Sequence, residues 1–112
     1  MNPNFQKLMT HTLTIRKRKR NWEGDFEDVE THTGINGFIQ YGKKIVTDKK
    51  GEEVVASAIV FLRNDTPVEA EHPHWEIDQT APYVREGLEV ISIDPIDDPR
   101  MGKTHHYEVS VR

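Results

Sequence analysis

Hydrophobic and polar positions are most sharply patterned between Lys43 and Leu62, KKIVTDKKGEEVVASAIVFL. Two runs rich in β-branched residues, Ile45-Val46-Thr47 and Val54-Val55 through Ile59-Val60, flank Asp48-Lys49-Lys50-Gly51. A glycine there can take the positive φ that closing such a turn requires, so the stretch predicts a β-hairpin. Its second run, Glu52 to Leu62, outlasts the partner Lys43 to Thr47, so the far half is expected to pair with the central or the closing strand. A lone hairpin is marginal in water, and the rest of the chain must supply its partners.

From His11 to Lys17, Leu13 and Ile15 alternate with Thr12, Thr14 and Arg16. This is a strand with one short apolar face, expected at an edge or leaving the body early. Residues 1–10 read either as a helical turn through Phe5, Leu8 and Met9 or as a tail. Residues 18–36 are polar and punctuated by glycine, and read as a long loop in which Trp22, Phe26 and Val29 have the spacing of a helical turn. Phe38, Ile39 and Tyr41 form a strand that ends at Gly42. Residues 64–86 carry Pro67, Pro73 and Pro82 and read as a second long loop, interrupted by a short strand at His74 to Asp78. Loops beyond about twelve to fifteen residues are usually functional or disordered, which marks both as working parts.

After Gly87, Leu88, Val90 and Ser92 alternate with Glu89, Ile91 and Ile93, a strand apolar on both faces and therefore buried on both. Asp94 to Lys103 reads as a loop, and Thr104 to Val111 as a closing strand with Tyr107, Val109 and Val111 on its apolar side. The sum is a single all-β domain over residues 1–112: a small closed or nearly closed antiparallel β-barrel of six to seven strands with long loops and at most short helical turns. Its expected core comes from Ile45, Val55, Ile59, Phe61, Val90, Tyr107 and Val109.

Composition adds limits. At 112 residues the chain can bury a core without staples, and the lack of cysteine removes disulfides and thiolate metal sites together. No run approaches the roughly eighteen apolar residues of a membrane span, and MNPNFQKLMTHT has no secretory pattern, so use without crossing a membrane is expected. With 35% hydrophobic and 30% charged residues the chain is polar for a compact monomer, which predicts long exposed loops or a wet subunit interface. The net charge of −4 hides segregation: Arg16, Lys17, Arg18, Lys19 and Arg20 are consecutive, while Glu23, Asp25, Glu27, Asp28 and Glu30 follow directly.

The order of features resembles a known family. A strand HTLTI at His11 to Ile15, the Lys44 to Leu62 segment with GEEVVASAIVFL, the central strand Leu88 to Ile93 and the closing strand Gly102 to Val111 with HHYEV together resemble the head-tail connector, or head-completion (stopper), proteins of long-tailed bacteriophages. The matching pieces cover about half of the chain, and HHYEV is their most specific part. Family members commonly carry Gly-Tyr-Val just before the central strand; here Gly87 is followed by Leu88-Glu89-Val90, and Tyr83-Val84 lies earlier. The resemblance implies a non-catalytic virion protein in the neck, assembled from the host cytoplasm as a ring, commonly sixfold. Such a ring meets the portal or adaptor on one side and the tail terminator or other tail components on the other, and completes the channel that DNA crosses. A β-barrel body carries the ring contacts, and a projecting loop or hairpin reaches the lumen.

The candidate contact residues are the run Arg16 to Arg20, with Glu27, Asp28, His72, His74 and Trp75. The basic run either faces DNA, where neutralised phosphates release counterions, or pairs with the acidic block of the same or a neighbouring subunit. Trp75 either closes one end of the barrel or anchors an interface. His72-Pro73-His74 and His105-His106, with Glu71 or Glu76, lack metal-ligand spacing, because proline and strand alternation point adjacent rings apart; no metal or cofactor is expected. His105 is expected at the core boundary and His106 on the surface. A ββα nuclease needs a helix after the hairpin that the pattern does not offer, and Asp97-Asp98 beside Pro99 is turn chemistry, so no enzyme is expected. The alternative from another class is an OB-type nucleic-acid-binding barrel using Arg16 to Arg20 with Trp22, Phe38 or Tyr41 as stacking platforms. Against it, 10 basic residues face 19 acidic ones once that run is set aside.

Overall fold

A computed structural model of the chain describes residues 7–48, 50–69, 74–100 and 102–112. The described residues contain six antiparallel strands and no helix. In chain order these are β1 (His11–Arg20), β2 (Phe26–Thr47), β3 (Glu53–Arg63), β4 (Trp75–Ala81), β5 (Arg85–Asp98) and β6 (Lys103–Val111). They are hydrogen-bonded in a closed ring, β1-β2-β3-β6-β5-β4, in which β4 returns to β1. The predicted hairpin is β2–β3, with Ile45 opposite Val55 and Val46 opposite Val54. The far half of β3, Ala58 to Arg63, pairs with the closing strand β6.

β2 is the longest element, and three bulges let it bend around the body. One extra residue enters β2 between the partners of Leu13 and Ile15, one between those of Lys17 and Arg18, and one between Tyr41 and Lys44. Each bulge kinks a strand and increases its twist. Gly34 (φ 66°) and Gly42 (φ 150°) sit at two of them, in backbone conformations that side chains rarely adopt. The strand therefore pairs with β1 along its first half and with β3 along its second.

Several expectations change here. Residues 18–36 are not a loop with a helical turn but the β1–β2 hairpin, which turns over Asn21 to Asp25. Asn21 Oδ1 accepts hydrogen bonds from the backbone N–H of Glu23 and of Asp25, both at 3.0 Å, and Gly24 N–H donates to the Asn21 carbonyl. Asp48 does the same for Lys50 and Glu52 in the β2–β3 turn, so both tips use one device, a polar acceptor followed three residues later by glycine. The loop expected over 64–86 is split by β4, which runs on to Ala81, and β5 begins at Arg85. The loop expected at Asp94 to Lys103 shrinks to a tight turn because β5 continues to Asp98. β1 is not an edge strand, since Thr12 to Lys17 pair with β4 as well as with β2.

The core is built from Leu13, Ile15, Ile39, Ala58, Val60, Leu62, Trp75, Ile77, Leu88, Val90, Ile93, Val109 and Val111. Of the seven core positions expected from sequence, Val90 and Val109 are buried and Tyr107 packs against the cluster. Ile59 and Phe61 are only half-buried, while Ile45 and Val55 are 67% and 57% exposed. Both alternating sets of β3 are apolar, so period two identifies the strand without choosing its face. The tight interior of a six-stranded ring takes the smaller set, Ala56, Ala58 and Val60 with Leu62. In β5 a register shift between Val90 and Ser92 changes the phase, so that Leu88 and Val90 are followed by Ile93 in the core. After β3, Thr66 is buried and Val68 packs against the core at one end of the barrel.

The ring leaves three hairpin arms protruding. The β1–β2 and β5–β6 turns lie at the end where β3 finishes, and the β2–β3 turn lies at the opposite end.

Candidate interaction surfaces

Alternation along β1 sends Leu13 and Ile15 into the core and leaves Arg16 and Arg18 on the outer face. Register places Arg16 opposite Glu76 and Arg18 opposite Asp28, so neighbouring strands offer carboxylates at the level of each cation. Arg16 donates to both oxygens of Asp78, from Nε at 3.0 Å and Nη2 at 3.1 Å, and its Nη2 lies 2.9 Å from Glu76. Arg18 lies 2.9 Å from the same Glu76 oxygen and 3.1 Å from Asp28. Asp78 also accepts the Gly87 N–H at 2.7 Å, which ties this network to the start of β5. Partial burial opposes the Arg16 charge, but the Asp78 hydrogen bond and the charges of Asp78, Glu76 and Asp28 outweigh it, and its pKa is raised.

Lys17 points the other way. Its Nζ donates to Glu69 at 2.9 Å, which raises its pKa, and lies 5.8 Å from the Trp75 ring centroid. Lys19 and Arg20 are exposed at the end of β1, with Arg20 stacked 5.0 Å from the centre of Phe26. Glu27 is exposed and opposite Lys19 in register. Arg16 and Arg18 are therefore bound to carboxylates of the flanking strands and Lys17 to Glu69 of the segment after β3, while Lys19 and Arg20 are presented to solvent.

Trp75 is 2% exposed and belongs to the core, its indole N–H donating to the Glu69 carbonyl at 3.2 Å. The ring closes the barrel and offers no surface to a partner. His74 is exposed beside it, edge-on to Phe26 at 4.6 Å, and its carbonyl accepts the Arg18 N–H. His72 lies outside the described residues. Sequence reasoning sent the rings of His105 and His106 apart; they meet edge-on at 5.1 Å with their Nδ1 atoms 2.9 Å apart. His106 is half-buried against Phe61 rather than on the surface. Among the described residues no group of three His, Asp or Glu converges on a metal-sized site.

Two features were missed in the sequence. Gln79 is completely buried in β4 and accepts a hydrogen bond from the Tyr41 hydroxyl at 2.7 Å, while Arg85 stacks 4.7 Å from the Tyr41 ring centroid. Burial raises the Tyr41 pKa, opposed by the Arg85 charge. Second, the outer barrel carries a row of rings from His11 through Phe38 and Phe61 to His106, with successive centroids 4.9, 6.4 and 6.3 Å apart. The apolar second face of β3 was readable as a signal for such a row, had it been assigned to the outside. The supposed stacking platforms do not share a face: Trp22 is at the β1–β2 tip, Phe38 is in this row, and Tyr41 is tied to buried Gln79.

Comparison with protein-family models, curated proteins and solved structures finds no match for this chain.

Proposed function

We propose that this chain is a structural virion protein of a long-tailed bacteriophage, a stopper or head-completion subunit that assembles as a ring at the head-tail interface, closes the DNA channel and docks the tail. The observation that carries the reading is a body-and-arms architecture. A closed β ring with a well-filled core bears three protruding hairpins whose exposed residues include Trp22, Val29, Ile45 and Val55. Surfaces of this kind suit assembly, where a few large side chains carry most of the contact energy. The sequence resemblance supplies the identity of the assembly, and HHYEV, its most specific piece, lies in the strand that closes the ring through β3 and β5. The nucleic-acid alternative is weakened because three of its five cations are engaged by Glu69, Asp28, Glu76 and Asp78.

Deleting the gene from the phage tests the reading. The expected products are separate tails and heads that fail to keep their DNA, restored to infectious particles by supplying the protein in trans. Normal particle yield without the gene overturns it, as does salt-sensitive affinity for single-stranded DNA that disappears when Arg16 to Arg20 are neutralised.

A further inference from the structure

Where the β5–β6 arm leaves the barrel, β6 holds one residue more than β5. Ile96 pairs with His106 and Asp97 with Thr104, so His105 is the inserted residue of a β-bulge. A bulge breaks the alternation that sends adjacent side chains to opposite faces, and the two rings come together with their Nδ1 atoms 2.9 Å apart. At that distance one Nδ1 carries a proton and the other is bare. His106 is half-buried against Phe61 and its Nε2 lies 3.9 Å from Glu108. Those neighbours favour a proton on Nε2, which leaves His106 Nδ1 as the acceptor and His105 as the donor. Among the described residues β3 pairs with β6 only as far as His106, so the arm beyond the bulge is a two-stranded ribbon. Asn64 Nδ2 ties it to the end of β3 by donating to the Thr104 carbonyl at 3.2 Å.

We infer that the His105–His106 contact is a proton-operated clasp at the root of the β5–β6 arm, closed while one Nδ1 is bare and opened when both rings are charged. The first added proton goes to His105 Nε2 and sets a charged donor against a neutral acceptor, which strengthens the contact. The second has only His106 Nδ1 to occupy, and then two N–H groups and two cations face each other across 2.9 Å. The pair therefore takes up its protons in two steps. Around it stand Glu108 and Lys103 on β6, Arg63 on β3 with Asp65 at 3.3 Å, and Asp94, Asp97 and Asp98 on β5. Burial and the His105 charge oppose a charge on His106 more than Glu108 favours it, and the His106 pKa is lowered. The clasp is thus closed at neutral pH and opens as the pH falls below the ordinary histidine range. His106 is held by Phe61, so the ring that leaves is His105, and the bulge that sets the arm's angle loses its brace. The result is an arm whose direction follows pH while the barrel stays closed, whether or not the chain is a connector.

Nitrogen-15 NMR of the full chain, read at the imidazoles and at the backbone amides, tests it. At about pH 7.5 one of the two Nδ1 atoms is expected protonated and the other bare, and between there and about pH 5 the rings titrate in two steps. The Gly102 N–H donates to the Asp98 carbonyl at 3.0 Å in the turn of the arm. Its protection from exchange is expected to fall about tenfold with the second step alone, while the paired core residues Val60 and Val109 keep theirs. His105→Phe keeps a ring but carries no proton, so His106 titrates in one step and Gly102 protection no longer follows pH. His11→Gln leaves both signals as in the parent, which separates the clasp from the other buried histidine. Rings of the parent that titrate independently, both Nδ1 atoms in the same state at neutral pH, or Gly102 protection that ignores the second step overturn the inference. So does a pH response that survives in His105→Phe, or a loss of protection shared by Val60 and Val109, which is unfolding of the barrel rather than release of the arm.

Discussion

Arg16 and Asp78 are the residues on which the outer face of β1 depends. Arg16 is three-quarters shielded and bridges Asp78 and Glu76 of β4, with Asp28 of β2 at 3.8 Å, so truncating it removes the guanidinium from Asp78 while Glu76 keeps Arg18. Arg16→Ala is expected to cost roughly 1–2 kcal/mol, the range for hydrogen bonds to charged groups reduced by partial exposure, read as a lower urea midpoint with unchanged slope. The histidines give a pH dependence. His11 Nδ1 accepts the Ile39 N–H at 3.0 Å, which requires the neutral ring, and burial lowers its pKa below 6.5. Burial lowers His106 as well, with Glu108 opposing and His105 adding to the shift. The unfolded chain therefore binds more protons than the native one just below pH 6.5, so the stabilisation from these rings is complete above that value and is lost as pH falls through it. Thermal melts between about pH 7.5 and about pH 5.5 are expected to show a falling midpoint, flattened in a His11→Gln, His106→Gln double variant. Little of this was legible: the acidic and basic blocks announced that pairing was available, but the principal partners, Glu76 and Asp78, lie some sixty positions away and depend on strand order. The sequence left Trp75 in HPHWEID between a core and an interface role; in a strand its polar neighbours His74 and Glu76 point the opposite way and the indole is buried.

At the scale of elements, the hairpin closed at Gly51 was legible because turn chemistry and β-branched runs agreed. The hairpin closed at Gly24 uses the same turn chemistry, Asn21-Trp22-Glu23-Gly24, but its strands carry Arg, Lys, Glu and Asp in place of apolar residues, so periodicity was silent and a loop was inferred. Those strands are held by the β1–β2 ladder and by cross-strand charge rather than by a core, and hydropathy does not register that. Gly37 marks the point where β2 passes from one partner to the other. A Cβ there would lie 2.6 Å from Leu13 Cδ1, 3.0 Å from the Phe61 carbonyl oxygen and 3.2 Å from Leu62 Cδ2. Gly37→Ala is expected to destabilise by about 1–3 kcal/mol through overpacking, measured by denaturant unfolding, while the same change at Gly34, where nothing lies within 4 Å, perturbs only a positive-φ position.

For the whole molecule, fold class was the most legible property, since many short β runs without a helical period admit few architectures. Ring order was partly legible, because an overlong β3 required a second partner. The inward face was not, because Val55, Ile59 and Phe61 compete with Ala56, Ala58 and Val60, and only the radius of the closed ring decides between them. That decision leaves Ile45 and Val55 in solvent and a row of rings on the outer face. The location of the protein tests the proposed connector role most directly. The proposed connector role predicts that electron cryomicroscopy of tailed-phage particles carrying this gene places the barrel as a ring between head and tail; intact particles that lack the protein would contradict it.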